Sequence, residues 1–539
     1  MAETFDYIIV GAGSAGCVLA DRLTANGRHR VLLLEAGGSD RRFYVQMPLG
    51  YGKTFYDKSV NWMYQAEPDP GLNGQRDFYP RGKVLGGSSS INAMVYIRGH
   101  KADYEDWKAA GNTGWGWDEV LPAYRKIEDY AAGDPALRGR GGPLTLTDLD
   151  DQAHPLCQPY LKAAQAAGLP FTPDFNGAEQ EGVGLYQFTI KGGIRNSAAR
   201  AFLRPAMKRQ NLRVETQAQA TRVLFEGNRA TGIEYVQQGQ TRIARAGEVI
   251  LSGGAINSPQ LLQLSGIGPG ALLQSMGIPL LRENANVGAR MQDHHGINYT
   301  WRMKVPTLND ELRPWWGKLK AGIQYILLRK GPLSLSINQG GGFFRTHPHM
   351  TRPNMQLYMQ AFSTLIPKAG ERPILSPDPF SGLSLGLSNC RPASTGEVMI
   401  TSPDPFAHPR VSFNAYGTNS DVEEMLAAVK FLRVIASHEP LRSLMAEELR
   451  PGPEVATDEQ IIHDFRQRSG TVYHHSCTCR MGPEEAASVV DARLRVHGIE
   501  GLRVCDASVF PNLIAGNTNA PAMMMGWRGA EIMLEDAAR

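Results

Sequence analysis

FDYIIVGAGSAGCVLADRL, Phe5 to Leu23, is the stretch that decides the fold of this chain. A short apolar run, Phe5 to Val10, enters a glycine-rich turn and leaves it as a helical pattern through Val18, Leu19, Arg22 and Leu23. Strand, turn and helix follow in that order. Gly11, Gly13 and Gly16 stand at the spacing G-x-G-x-x-G. The first permits a tight turn, the second lets backbone approach a diphosphate, and the third lets the helix pack closely on the strand. The helix N-terminus then faces the diphosphate. A second strand, Arg30 to Leu34, ends at Glu35. A carboxylate there, about twenty residues past the fingerprint, accepts hydrogen bonds from ribose hydroxyls and repels a 2′-phosphate. The pattern predicts a Rossmann-type α/β domain for an adenosine diphosphate-like group without an extra phosphate. It does not separate FAD from NAD.

The rest of the chain narrows the class. With 539 residues and 42% hydrophobic content, it can bury a large core and form more than one structural domain. Its 56 basic and 53 acidic residues leave a formal net charge of +3. That balance gives no broad attraction for nucleic acid or an acidic membrane, so the expected ligand is small. No segment approaches ~18 uninterrupted apolar residues, so no integral membrane segment is expected. The opening MAETFDYIIV carries Glu3 and Asp6 where a secretory leader would carry basic residues, and the expectation is a soluble, cytoplasmic protein. The six cysteines (17, 157, 390, 477, 479 and 505) are too few and too scattered for a disulfide framework.

Two further segments stand out: RGKVLGGSSSINAMVYIRG, Arg81 to Gly99, and GGAINSPQLLQLSGIGP, Gly253 to Pro269, whose apolar part predicts a helix from near Ser258. They closely resemble the two signature segments of the glucose-methanol-choline family of flavin oxidoreductases. The amino-terminal fingerprint and the carboxyl-terminal His and Asn segments fall in that family's order. The resemblance implies FAD, with Glu35 on the adenosine ribose and with Gly86, Gly87, Ser88 and Asn92, Ala93, Met94, Val95 around the pyrophosphate and flavin. It also implies that Ser14, Ala15, Ala36, Val84, Ser252, Gly253 and Tyr473 belong to the FAD site and that Val223 sits beside the adenine. Choline oxidases of the family attach flavin through a histidine in GGCSSHNS. This chain reads GGSSSINA, and Ile91 cannot form that bond, so non-covalent FAD is expected.

Between Leu212 and Leu251, apolar and polar residues alternate around turn signals at Gly227, Asn228 and Gly239, which predicts a β meander returning to the nucleotide domain. From about Asp293 to Arg468 prolines cluster, one helix is suggested within WRMKVPTLNDELRPWWGKLKAGIQYILLRKGPL, and strands and turns follow. VEEMLAAVKFLRVIA, 422–436, is an amphipathic helix. The organisation expected is α/β, or α+β overall. Segments 1–155, 206–292 and 469–539 form the FAD-binding domain; 156–205 and 293–468 form a substrate domain built on an antiparallel sheet with helices.

TVYHHSCTCRMG, Thr471 to Gly482, invites a metal reading. It lacks the two-residue spacer of a structural cysteine pair, and no second cluster exists to complete a site, so no metal is expected. By resemblance, this is the stretch with the active-site histidine, taken here as His474, and SCTCRMG is similar to SCTCKMG of choline and sorbose dehydrogenases. In AGNTNAPAMMMGWRGAEIML, 515–534, Asn519 is taken as the second catalytic residue, with Asp506, Ala507, Asn517 and Thr518 as flavin contacts by resemblance. Pro521 suits the first turn of a helix that would aim its positive end at the flavin. The implied activity is oxidation of an alcohol, with neutral His474 as base and Asn519 holding the substrate oxygen. Gln339, where choline-oxidising relatives carry a glutamate, argues against choline, and Trp301, Trp315, Trp316, Phe343 and Phe344 are candidate aromatic walls. A sugar, polyol or aromatic primary alcohol is the expected substrate. One dinucleotide fingerprint leaves a quinone-like carrier or oxygen as acceptor.

Overall fold

The computed structural model describes residues 4–149, 152–365 and 376–539, so Glu3 lies outside the described residues. In chain order, the strands of its two large sheets are β1 (Thr4–Val10), β2 (Val31–Glu35), β3 (Gly182–Leu185), β4 (Leu212–Thr216), β5 (Ala218–Glu226), β6 (Arg229–Gln237) and β7 (Gln240–Leu251). There follow β8 (His295–Met303), β9 (Gly340–Phe344), β10 (Met355–Gln360), β11 (Gly382–Asn389), β12 (Met445–Arg450), β13 (Gly470–Thr471) and β14 (Leu502–Val504).

The first sheet has the order β4-β2-β1-β7-β6-β5, with β14 beside β7. β1 is parallel to both β2 and β7, and Val10 pairs with Leu34 on one side and Leu251 on the other. These are continuous apolar runs because both faces are covered. Their carboxyl ends coincide, so Gly11, Glu35 and Ser252 share one crevice, the place where open α/β sheets bind ligands. The segment expected to be a single meander divides in two. Leu212–Thr216 adds in parallel to the outer edge of β2, and only β5, β6 and β7 form an antiparallel meander. Its last turn, Gln238 and Gly239, has φ of 52° and 74°, the left-handed pair that matches strand twist in a two-residue hairpin.

The second sheet is antiparallel throughout, in the order β12-β8-β11-β10-β9-β3, with β13 on β8. β9 opens with three glycines for a steric reason: a Cβ on Gly341 would lie 2.2 Å from the Tyr186 ring. Because β13 pairs with His295 and Gly296, the closing segment of the chain starts in this sheet and only then returns to the first.

Five helices matter for the site: α1 (Ser14–Thr24), α2 (Gly254–Leu264), α3 (Trp315–Leu328), α4 (Asn419–Ser437) and α5 (Asn519–Ala537). α4 buries Met425, Val429, Leu432 and Ile435, and it packs on β11. α5 buries Met523, Met524, Met525 and Ile532 and crosses α1 so closely that a Cβ on Gly526 would lie 2.6 Å from the Ala15 carbonyl oxygen. α2 starts at Gly254, one turn earlier than its apolar pattern suggested, because Asp506 accepts the Gly254 N–H at 2.8 Å and the Ser258 hydroxyl at 2.6 Å. Among the described residues, no helix is long and apolar enough to cross a membrane.

Candidate active site

A cavity of about 600 Å³ runs from the carboxyl ends of β1, β2 and β7 to β8, β10 and β11 of the second sheet. At the first end, three glycines bring backbones together. A Cβ on Gly16 would lie 1.9 Å from the Gly11 oxygen, one on Gly11 2.5 Å from the Ser252 oxygen, and one on Gly87 2.7 Å from the Gly13 Cα. The turn therefore opens onto the cavity through Gly11, Gly13, Ser14 and Ala15, with Ser252 and Gly253 opposite. Glu35 and Ala36 lie on the same wall. One Glu35 oxygen accepts the Ala12 N–H at 2.9 Å and the other the Gly37 N–H at 2.7 Å. Burial pushes its pKa up to about 7, against those two hydrogen bonds.

Ser88, Asn92, Ala93, Met94 and Val95 continue the lining from the other side, with Ile91 among them. Gly16, Val84 and Gly86 do not reach the cavity surface. They support it, as where the Gly86 N–H donates to the Ala12 carbonyl at 2.7 Å. Val223 is a correction. A bulge between Ala220 and Arg222 breaks the alternation of β5, and Val223 is buried in the core with its N–H on Ser265 Oγ. The cavity wall there is Ala218, Gln219 and Ala220.

Asp506, Ala507, Asn517, Thr518 and Asn519 bring the N-terminus of α5 to the cavity, and at its other end Tyr473 and His474 face it. Asp293 fixes the histidine loop by accepting the His474 N–H at 2.7 Å and the Thr471 hydroxyl. Burial pushes the Asp293 carboxyl up to about 6. Tyr473 is held at φ 72°, with its carbonyl accepting from half-buried Arg81 at 2.7 Å.

The side chain of His474 lies between two partners. His294 Nδ1 is 2.9 Å from His474 Nδ1, and His294 Nε2 is 2.8 Å from the Cys390 carbonyl. A carbonyl can only accept, so neutral His294 carries its proton on Nε2 and accepts at Nδ1. His474 must then donate from Nδ1, which leaves Nε2 to accept. Asn517 Nδ2 lies 3.1 Å from that Nε2, while Asn517 Oδ1 accepts from Gln356 Nε2 at 3.2 Å and Gln356 Oε1 from the Tyr358 hydroxyl at 2.7 Å. Every hydrogen bond from Tyr358 to Cys390 runs in one direction. Burial, with His294 and Arg81 adding to it, holds the His474 pKa well below its ordinary value; burial takes His294 down to about 3. Both rings are neutral near pH 7.

Asn519 is the second correction. Its Oδ1 accepts the Ser14 hydroxyl at 2.8 Å, which ties the start of α5 to the start of α1 at the nucleotide turn. Asn517, two residues earlier and still outside the helix, is the amide that meets His474. Sequence reading also missed His294. Its only signal was the pair His294 and His295 ahead of a strand, and nothing local ties either one to a residue 180 positions away.

The remaining candidates settle into structural roles. His475 stacks edge-on against Tyr79 with centroids 4.1 Å apart, and its Nε2 is 3.3 Å from Asp293. Cys477 and Cys479 are buried free thiols, and among the described residues no group of three or more His, Cys, Asp or Glu side chains is placed to hold a metal. Gln339 does not face the cavity; its Oε1 accepts the His154 N–H at 2.7 Å. Trp301, Phe343 and Phe344 are core, and Trp315 and Trp316 are exposed on α3. The aromatic wall is built by Tyr51, Phe55, Tyr56, Tyr358 and Tyr473.

The residues present fit a flavin dinucleotide. A glycine turn without side chains, a buried acid on the same wall and a second helix N-terminus lie along one cavity. Residues 5–296 and 392–526 both match GMC oxidoreductase domains. The chain belongs to the GMC oxidoreductase family. It is 42% identical over 535 residues to the alcohol dehydrogenase [acceptor] of Pseudomonas putida, covering 98% of this chain and 96% of that one. It is 41% identical over 545 residues to human mitochondrial choline dehydrogenase, covering 98% and 90%. Among solved structures, pyridoxine 4-oxidase from Mesorbium loti superposes with a TM-score of 0.89 at 29% identity, covering 98% of this chain and 99% of that one. This GMC protein is an FAD oxidoreductase acting on alcohols.

Proposed function

We propose that this GMC enzyme oxidises a primary alcohol to the aldehyde and passes the electrons to a quinone-like acceptor. The observation that carries this reading is the one-way hydrogen-bond chain that makes Nε2 of neutral His474 an acceptor at the cavity, met by Asn517 Nδ2, where an alcohol hydroxyl can enter as donor. Bound FAD supplies the hydride acceptor. His474 Nε2 takes the hydroxyl proton, and Asn517 Nδ2 holds the same oxygen, so that the reacting C–H is presented in a fixed direction. The first turn of α5 lines the cavity, and its N-terminal amides would favour negative charge on a group held there. Gly11, Gly13, Glu35, Gly87 and Ser88 would hold the dinucleotide, and Ile91 at the wall offers no nucleophile for a covalent link.

Aromatic rings with Ile337 and Val472 favour an aromatic alcohol over a sugar or polyol. Among the described cavity-lining residues the only carboxylates are Glu35 and Asp506, each already bonded to backbone N–H groups at the nucleotide side. A quaternary ammonium would find no free acidic partner there and would rest on the aromatic rings alone. The name of the Pseudomonas putida relative supports a dedicated acceptor over oxygen.

The test is anaerobic addition of benzyl alcohol, sorbose or choline to the holoenzyme. Bleaching by benzyl alcohol, with fast reoxidation by a soluble quinone and slow reoxidation by air, is the expected result. Fast return in air would make it an oxidase. Bleaching by choline alone would overturn the substrate class, and no bleaching by any alcohol would favour a lyase with structural FAD.

A further inference from the structure

Helix α3, WWGKLKAGIQYILL, is turned the wrong way for a soluble protein. Its buried residues are Gly317, Ala321 and Tyr325, a narrow seam at four-residue spacing. Its large apolar residues face solvent: Trp315, Trp316, Leu319, Ile323, Ile326 and Leu327 are 50% to 76% exposed. At 3.6 residues per turn these six share one arc about 120° wide, flanked by Lys320 about 20° beyond one edge and Lys318 about 60° beyond the other. Seven of the fifteen large hydrophobics exposed among the described residues are on this helix. Exposed Phe43 packs on the inner side of the helix, its ring 6.3 Å from that of buried Tyr325. Scattered exposed apolar side chains need no explanation, but a contiguous face rimmed by cations does.

We propose that α3 is an in-plane anchor by which the protein docks on an anionic lipid bilayer. Fourteen residues reach ~21 Å, short of a hydrocarbon core of ~30 Å, so the helix lies in the interface and does not span it. Trp315 and Trp316 suit the headgroup boundary, and Lys318, Lys320, Arg329 and Lys330, all exposed, suit acidic headgroups. Exposed Asp310 and Glu311 lie just before the helix and oppose this at its N-terminal end. A second copy of the chain fits less well, since a symmetric face-to-face contact would set the rim lysines of one copy near those of the other. Docking has a consequence for the site: Ala321 is buried in the same cluster as Tyr51, Phe55 and Ile337, which line the cavity. One helix thickness, ~10 Å, then separates that wall from lipid, where apolar alcohols and quinones partition.

The test is flotation of the holoenzyme with vesicles of phosphatidylglycerol and phosphatidylcholine in equal parts, and with phosphatidylcholine alone. The wild type should float with the acidic vesicles and weakly or not at all with the neutral ones. Leu319→Glu combined with Ile326→Glu should lower partition about tenfold or more, with flavin content and bleaching by a soluble alcohol unchanged. Lys318→Gln combined with Lys320→Gln, which leaves the apolar face intact, should weaken binding to acidic vesicles and so provides a reading if the first pair loses flavin. Wild-type protein that stays out of the vesicle layer overturns the proposal. So does equal flotation of every variant, or a vesicle-free dimer that the glutamate pair turns into a monomer.

Discussion

The two ends of the cavity are built by different means. At the nucleotide end, Gly11, Gly13, Gly16 and Glu35 come from one unbroken βαβ stretch, and their spacing is their geometry. At the alcohol end, His474, Asn517, His294 and Gln356 come from four separate segments, and only the packing of the second sheet against the first brings them together. The first end depends on backbone shape. The second depends on the direction of hydrogen bonds, which a sequence does not display. Asn517 and Asn519 show the contrast in miniature: two residues apart, one belongs to each end.

The sharpest way to break this contrast is at His474. His474→Ala should slow flavin reduction by roughly 10²–10⁴-fold while FAD stays bound, measured anaerobically by stopped flow. An unchanged rate would remove the base from the scheme. At the nucleotide end, Gly87→Ala forces a Cβ to 2.7 Å from Gly13 Cα at a φ of +53°, a strain of ~1–3 kcal/mol. Its expected effect is weak FAD retention on gel filtration, with normal reduction of whatever enzyme remains loaded.

His294→Leu probes the relay with a smaller effect. Without an acceptor for its Nδ1–H, His474 loses its fixed tautomer, and the expected loss is about tenfold in the reduction rate. Removing a neighbour that depresses the His474 pKa should also move the acid limb of the rate profile up toward pH 6.5. A purely structural His294 would leave that limb in place.

The smallest effect is on stability. His294, His474 and His475 have folded pKa values far below the ~6.5 of the unfolded chain, so below that pH the unfolded chain binds protons that the native state refuses. Their contribution is intact above pH 6.5 and is lost on acidification. Asp293, raised to about 6, and Glu35, raised to about 7, act in the opposite sense, each losing its contribution as pH rises through its folded value. Three histidines outweigh two carboxylates near pH 5, so the melting temperature should fall by a few degrees between pH 7 and pH 5. A rise would mean that the carboxylates dominate.

Legibility in the sequence follows the same division. The fingerprint, Glu35 and the helix containing 422–436 were readable because contiguous periodicity encodes them. The antiparallel substrate sheet and the FAD site follow from family resemblance. Val223 misled because a bulge in β5 changes which residues face the cavity, and Asn519 because the helix start, not the segment, decides which amide meets His474. His294 was invisible because its role comes from a contact across 180 residues. The near-neutral charge of the whole chain likewise hid the local arrangement on α3, where the lysines flank an outward apolar face.

The most direct measurement is flavin reduction by benzyl alcohol in Asn517→Ala and Asn519→Ala holoenzymes, side by side, with FAD affinity recorded for both. Asn517→Ala should reduce its flavin roughly 10²-fold more slowly with FAD affinity unchanged, and Asn519→Ala should hold FAD less tightly while reducing it at the wild-type rate. The reverse pattern would contradict the placement of the active site at His474, Asn517 and His294.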